Sequence, residues 1–306
     1  MPAPLNSLRY WPIFILMVAC PGWTFAGTGD SPDVVYHSHV GEVRLAFSAT
    51  DEKQHIVANV NPDDFAVIDD GMVIRDFRSL MRSGDTPLDI VVLVDASESV
   101  ASRFRAMMQD VVRLIARQSQ TPADALSVIG FSGTQTVVLC TGDCRSAAAE
   151  QRLVNLKPAG TTPLFDALAY TARFLSGRHN PGIQPVILLL SDGHDTVSAA
   201  SSRDAIDAVL ASGALLYAIN PDPAESSSSP AFAQLAESTG GRSFSAHDSG
   251  VNVFEAVTAD LRASYLVTYS VPSRAPGFHS LRILPKHNLN LRFHCRSGYY
   301  YEKDNQ

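Results

Sequence analysis

Asp95-Ala96-Ser97-Glu98-Ser99 places one carboxylate and two hydroxyls at alternating positions. From an extended turn, alternate side chains point the same way, so the three oxygen donors converge. Such a set suits a hard divalent cation, which prefers oxygen ligands. The stretch needs a scaffold to present it. The apolar run Ile90 to Val94 precedes it and reads as a strand buried on both faces. Phe104, Met107, Met108, Val111, Val112 and Ile115 follow at helical spacing, in a helix expected from Val100 to Gln118. The polar residues therefore occupy the loop at the carboxyl end of a central parallel strand, where open α/β sheets bind ligands.

Two later loops are placed alike. Gly160-Thr161-Thr162-Pro163 opens a helix, with Thr162 the N-cap candidate and Pro163 at the first helical position. Ser191-Asp192-Gly193 ends the apolar strand Val186 to Leu190. With all three loops in order, the sequence resembles the von Willebrand factor A family and its metal-ion-dependent adhesion site. The resemblance implies a metal site at Asp95, Ser97, Ser99, Thr162 and Asp192. It implies that the serines and the threonine ligate directly and the aspartates act through waters. Charge on the cation is then left partly uncompensated, and an open position attracts an Asp or Glu of a protein partner. Mg²⁺ is the expected ion, with Mn²⁺ as a substitute; Ca²⁺ needs more ligands than this set offers. The family often has Gly-Gly-Thr where this chain has Gly160-Thr161-Thr162, so Thr161 stays open as the alternative ligand. Glu98 is expected to face solvent. His194 and Asp195 either line the rim, support the ligands, or decorate the turn.

The expected fold class is α/β. It is a doubly wound, mostly parallel sheet with one antiparallel edge strand, flanked by a β module built from both chain ends. The edge strand follows from Ser132-Gly133-Thr134, a link too short for a parallel crossover between strands at 126–131 and 135–139. The expected division is a signal peptide at 1–26, an N-terminal β segment at 27–84, the A domain at 85–263, and a C-terminal β segment at 264–306 that packs with the N-terminal one. Val43, Leu45 and Phe47 alternate with Arg44, Ala46 and Ser48, as in a half-buried strand. Asp69-Asp70-Gly71 reads as a hairpin turn before a strand at 73–77. The segment Asp63 to Gly71, and the ending Arg296-Ser297-Gly298-Tyr299-Tyr300, are similar to a bacterial secreted "VWFA-related" subgroup. Asp63, Asp64, Asp69 and Asp70 form either a calcium site or a solvated hairpin end.

Arg9, the apolar core Trp11 to Ala19, and Thr24-Phe25-Ala26 have the layout of an export signal. Cleavage after Ala26, lipidation at Cys20, or an uncleaved anchor would each follow export, and a membrane contact is expected only by the last two routes. Export permits disulfides. Cys140 and Cys144 bracket a turn-forming Thr-Gly-Asp and are expected to pair, leaving Cys295 buried and reduced.

Net charge is 24 − 31 = −7 without a basic run, which argues against a nucleic-acid partner. Gly130-Phe131-Ser132-Gly133-Thr134 lacks the final Gly of a nucleophile elbow and sits in a hairpin. There is no phosphate loop with a following Lys and no helical His pair at metal spacing. The leading expectation is an exported, non-enzymatic binding protein that grips an acidic partner group through a divalent cation. The alternatives are an envelope scaffold with a structural cation, and a metal-dependent hydrolase using His194 as base.

Overall fold

A strand flanked by apolar residues on every side can only sit mid-sheet, and Leu88–Asp95 (β5) does so. Its residues are inaccessible from Val91 onward. Alternation sends Ile90, Val92 and Val94 into one core and Val91 and Leu93 into the other. The computed structural model describes residues 41–301 other than 83, 85, 119–124, 179, 181, 222–229, 246–252 and 274. The expected export signal, Cys20 and the polar loop 226–229 lie outside the described residues.

The central sheet has six strands. Beside β5 lie Ala125–Ser132 (β6) and Gln135–Thr141 (β7) on one side. Gln184–Leu190 (β8), Leu215–Asn220 (β9) and Ser243–Ser245 (β10) lie on the other. Every pairing is parallel except β6 with β7, which turn back on each other through Gly133 and Thr134. Phe104–Gln118 (α1), Ala147–Asn155 (α2) and Val253–Ala263 (α6) cover one face. Leu164–Ser176 (α3), Ser202–Ser212 (α4) and Pro230–Ser238 (α5) cover the other. The sheet is doubly wound and mostly parallel with an antiparallel edge, as expected.

Three local differences from the sequence reading have physical causes. The first helix begins at Phe104 because residues 98–100 make a tighter 3₁₀ turn first. Its buried stripe runs through Phe104, Met107, Val111, Leu114 and Ile115, while Val112 is exposed. The third helix begins at Leu164, so Pro163 takes the cap position and Thr162 is not the cap.

The chain ends build two antiparallel sheets that share one core. Glu42–Thr50 (β1) pairs with Tyr265–Ser270 (β11) and with Arg292–Cys295 (β13), and β11 also pairs with Ser79–Arg82 (β4). In the second sheet, Phe65–Asp69 (β2) lies between Met72–Ile74 (β3) and Gly277–Pro285 (β12), which also pairs with Gly298–Tyr301 (β14). Phe47, Phe65, Val67, Val267, Tyr269, Leu281 and Ile283 meet between the two. Asp70 and Gly71 close the β2–β3 hairpin with φ of 45° and 79°, the left-handed pair that a two-residue turn requires. The Cys140–Cys144 disulfide is formed. Cys295 is free and half-buried rather than fully buried, and its surroundings push the thiol up to about 11.

Candidate metal centre

Asp95 closes β5 and is completely buried. Its Oδ1 accepts the Ser97 backbone N–H at 2.8 Å, which folds the loop back over the carboxylate. Its Oδ2 accepts the Ser191 hydroxyl at 2.7 Å, from the end of β8 next door. Ser97 is also fully buried, and its Oγ lies 3.0 Å from Ser99 Oγ. Ser99 and Glu98 are exposed, as a donor facing an opening and a solvated neighbour would be.

Backbone hydrogen bonds draw the second loop in. Glu98 N–H donates to the Gly160 carbonyl at 3.0 Å, and Ala159 N–H to the Ala96 carbonyl at 2.9 Å. Gly133 N–H holds the Thr161 carbonyl at 2.8 Å. Thr161 is exposed, whereas Thr162 is 2% exposed. The Thr162 N–H donates to Thr196 Oγ1 at 2.8 Å, and Thr196 N–H returns to the Thr162 carbonyl at 2.9 Å.

The third loop is locked to the second. The helix opened by residues 160–163 lacks a side-chain cap of its own. Its first N–H groups are instead met from a distance: Phe165 N–H reaches Asp195 Oδ1 at 3.3 Å and Ser198 Oγ at 3.1 Å. Asp195 thus helps to cap α3. His194 is exposed, and its N–H donates to Asp192 Oδ1 at 3.1 Å. Gly193 has φ of 81°, and a Cβ there would stand 2.7 Å from the Phe232 ring. Only glycine lets this turn pass so close to α5.

Burial holds the Asp95 carboxyl above its ordinary range, against the hydrogen bonds from Ser97 and Ser191, and the charge of Asp192 pushes it further up. Asp95 is buried, whereas Asp192 is partly open to solvent. Neither forms an ion pair with a cationic side chain among the described residues. The donors expected from the sequence are two carboxylates and three hydroxyls, all oxygen, a set whose chemistry fits a hard divalent cation. Thr196 and Ser198 escaped the sequence reading, and the contacts of Ser191 and Asp195 could not be read from it, because their partners lie 30 or more residues away.

The profile of the von Willebrand factor type A domain matches residues 89–258. The chain belongs to that family. Type A domains are protein-interaction modules, and those with a metal-ion-dependent adhesion site bind a divalent cation. No curated protein matches the chain by sequence. Among solved structures, proximal thread matrix protein 1 from the mussel byssus, with a zinc-occupied adhesion-site motif, is 20% identical over 44% of this chain and 38% of its own, with a TM-score of 0.38. A mutant PilB minor pilin of Streptococcus sanguinis is 12% identical over 58% and 62%, with a TM-score of 0.43. An aerotolerance-related membrane protein of Bacteroides fragilis is 17% identical over 57% and 98%, with a TM-score of 0.42. The chain thus spans under two fifths of the mussel protein and about three fifths of the pilin. Among the described residues no helix is long and apolar enough to cross a membrane.

Proposed function

We propose that this protein is an exported, non-enzymatic type A domain protein that binds a partner's Asp or Glu through a divalent cation. The cation would be held by Asp95, Ser97, Ser99, Thr162 and Asp192, with Mg²⁺ the preferred ion and Mn²⁺ able to replace it. The observation that carries the reading is the joining of the loops at the strand ends: Asp95 is tied to Ser191, Ser97 Oγ lies 3.0 Å from Ser99 Oγ, and the Glu98 N–H donates to the Gly160 carbonyl. A bound Mg²⁺ would supply an open coordination position for an acidic oxygen. The chain's own residues do the rest. Ser191 and the Ser97 N–H fix the Asp95 carboxylate. Thr196 fixes Thr162, while Asp195 and Ser198 anchor the helix behind it. Exposed Ser99 marks the side from which a partner approaches. Thr162 is preferred over Thr161 because it is the buried member of the pair, facing inward beside the Asp192 loop. The Cys140–Cys144 disulfide supports export, since such bonds persist in oxidising compartments.

Calorimetric titration of Mg²⁺ into the wild type and Asp95→Asn tests the site. The substitution keeps the side chain's shape and removes its charge. The wild type is expected to bind one Mg²⁺, and the variant to bind it at least about tenfold more weakly while keeping its circular dichroism. Equal affinities would remove the assignment. A pull-down from envelope extract with Mg²⁺ and with EDTA tests the partner. Capture that survives EDTA would favour a scaffold with a structural cation.

A further inference from the structure

The acidic residues at the two ends of β2 do not form one site. Asp63 and Asp64 sit before the strand, where Asp64 Oδ2 accepts the Asn61 N–H, while Asp69 and Asp70 close its far end. What joins Asp69 and Asp70 is a histidine from the other end of the chain. His279 on β12 brings its Nδ1 to 2.9 Å from Asp70 Oδ2. Asp69, Asp70 and His279 each offer one ligand atom, and these atoms all lie within 4.8 Å of one another.

Two of these groups are buried with an atom left over. Asp69 is inaccessible, and its Oδ2 accepts the hydroxyls of Tyr269 at 2.9 Å and Tyr299 at 3.1 Å. Its Oδ1 is buried without a hydrogen-bond partner among the described residues. His279 is 2% exposed, and its Nε2 lies 2.7 Å from the Ala275 carbonyl oxygen. A carbonyl only accepts, so Nε2 carries a hydrogen, and Nδ1 is the ring atom that faces the carboxylates. Nδ1 has no hydrogen-bond partner either, because Asp70 Oδ2 is close but off the line a hydrogen bond needs. Asp70 Oδ1 is occupied by the Ser280 N–H at 2.8 Å, which aims Oδ2 inward.

We propose that Asp69 Oδ1, Asp70 Oδ2 and His279 Nδ1 form a second metal site, in the β module, for a borderline divalent transition ion of the Zn²⁺ type. A proton on Nδ1 shared with Asp70 Oδ2 still leaves Asp69 Oδ1 without a partner, whereas a metal ion satisfies all three. One nitrogen and two carboxylate oxygens is a Zn²⁺ donor set, while Ca²⁺ favours oxygen alone. Neighbouring ligand atoms around tetrahedral Zn²⁺ stand about 3.3 Å apart, given bonds of ~2.0–2.1 Å, which this group meets with small shifts. Asp70 is 38% exposed at its side chain, leaving room for water in a fourth position. The supporting contacts are of the usual kind: the histidine's other nitrogen donates to a carbonyl, and the buried carboxylate is held by two hydroxyls. The site is independent of the one at Asp95. It would tie the N-terminal hairpin turn to β12.

The test titrates Zn²⁺ into the full, tag-free chain carrying Asp95→Asn, and into the same chain with Asp70→Asn or His279→Gln added. Calorimetry and thermal unfolding are the readouts. One Zn²⁺ is expected to bind and raise Tm, and each added substitution is expected to weaken binding by at least about tenfold. Circular dichroism shows whether His279→Gln folds; if it does not, Asp70→Asn, at a part-exposed position, decides alone. Unchanged Zn²⁺ affinity in Asp70→Asn, or no Zn²⁺ bound by the starting chain, would overturn the proposal and leave a buried ion pair only. Binding of Ca²⁺ in preference to Zn²⁺ would also overturn it.

Discussion

Gly193 bears on the metal centre without offering it a donor. It sits between Asp192 and His194 in a left-handed turn, pressed against Phe232. A methyl group there has to displace an aromatic side chain that is itself fully buried. Gly193→Ala is expected to cost about 2–5 kcal/mol, combining ~1–3 for overpacking with ~1–2 for the left-handed backbone. Urea unfolding measures it, and a loss under ~1 kcal/mol would show that α5 yields easily. Mg²⁺ affinity should fall as well, since the turn carries Asp192. The three polar loops were legible in the sequence because each is a short local pattern at the end of an apolar run. The partners of Ser191, Thr196 and Asp195 were not, because a hydrogen bond between distant loops leaves no spacing to read. The same holds for His279, which meets Asp69 and Asp70 only because β12 pairs with β2.

At the scale of elements, long periodic segments announced themselves and short ones did not. The helix α2 was missed: only Ala149 and Leu153 are buried on it, too few for a stripe, although Ser146 caps it through the Ala149 N–H. The strand β4 was missed because Ser79–Arg82 is half-buried at best and shows no alternation. The strand β5 carries a further consequence at its start. Asp89 is 8% exposed, and its Oδ2 lies 3.4 Å from Arg178 Nε while its Oδ1 lacks a hydrogen-bond partner among the described residues. Burial holds its carboxyl above the ordinary value of 3.8, outweighing the pull of Arg178. A raised pKa in the fold means the folded state binds the proton more tightly than the unfolded chain. That contribution is fully present below the ordinary value and is lost as pH rises through the raised one. The wild type therefore loses stability between acid and neutral pH through this group, and Asp89→Asn does not. Urea unfolding of both proteins at pH 4 and pH 7 compares them, with the other carboxylates cancelling in the difference. An identical pH dependence would mean that Arg178 fully offsets the burial of Asp89.

The whole molecule is threaded so that its first described strand and its last belong to one module, with the type A domain between them in sequence. This was legible in outline, because neither flank alone has enough strands for a stable sandwich. The order of the strands was not, since it depends on which edges meet. The two halves of the module share their core: Phe47, Phe65 and Val67 come from before the A domain, and Leu281, Ile283 and Tyr299 from after it. Removing residues 277–306 takes away β12 from beside β2, β13 from beside β1, and every apolar partner those strands bring. The β2–β3 hairpin then has no sheet to join, and an isolated hairpin is marginal in water. The A-domain sheet keeps all six of its strands and both of its cores. It loses only edge contacts, such as Ser297 N–H to the Ser238 carbonyl and the packing of Gly240 on Cys295 and Arg296. The truncated chain is expected to lose hydrogen-exchange protection at residues 42–50 and 65–74 while keeping it at 90–95 and 186–190. Mg²⁺ binding at the Asp95 site should persist within about threefold, a change of less than ~1 kcal/mol. Protection retained in the N-terminal strands would show that this segment folds without its partner. Collapse of the central strands would show that the A domain depends on the module, and the division at 85–263 would have to be abandoned.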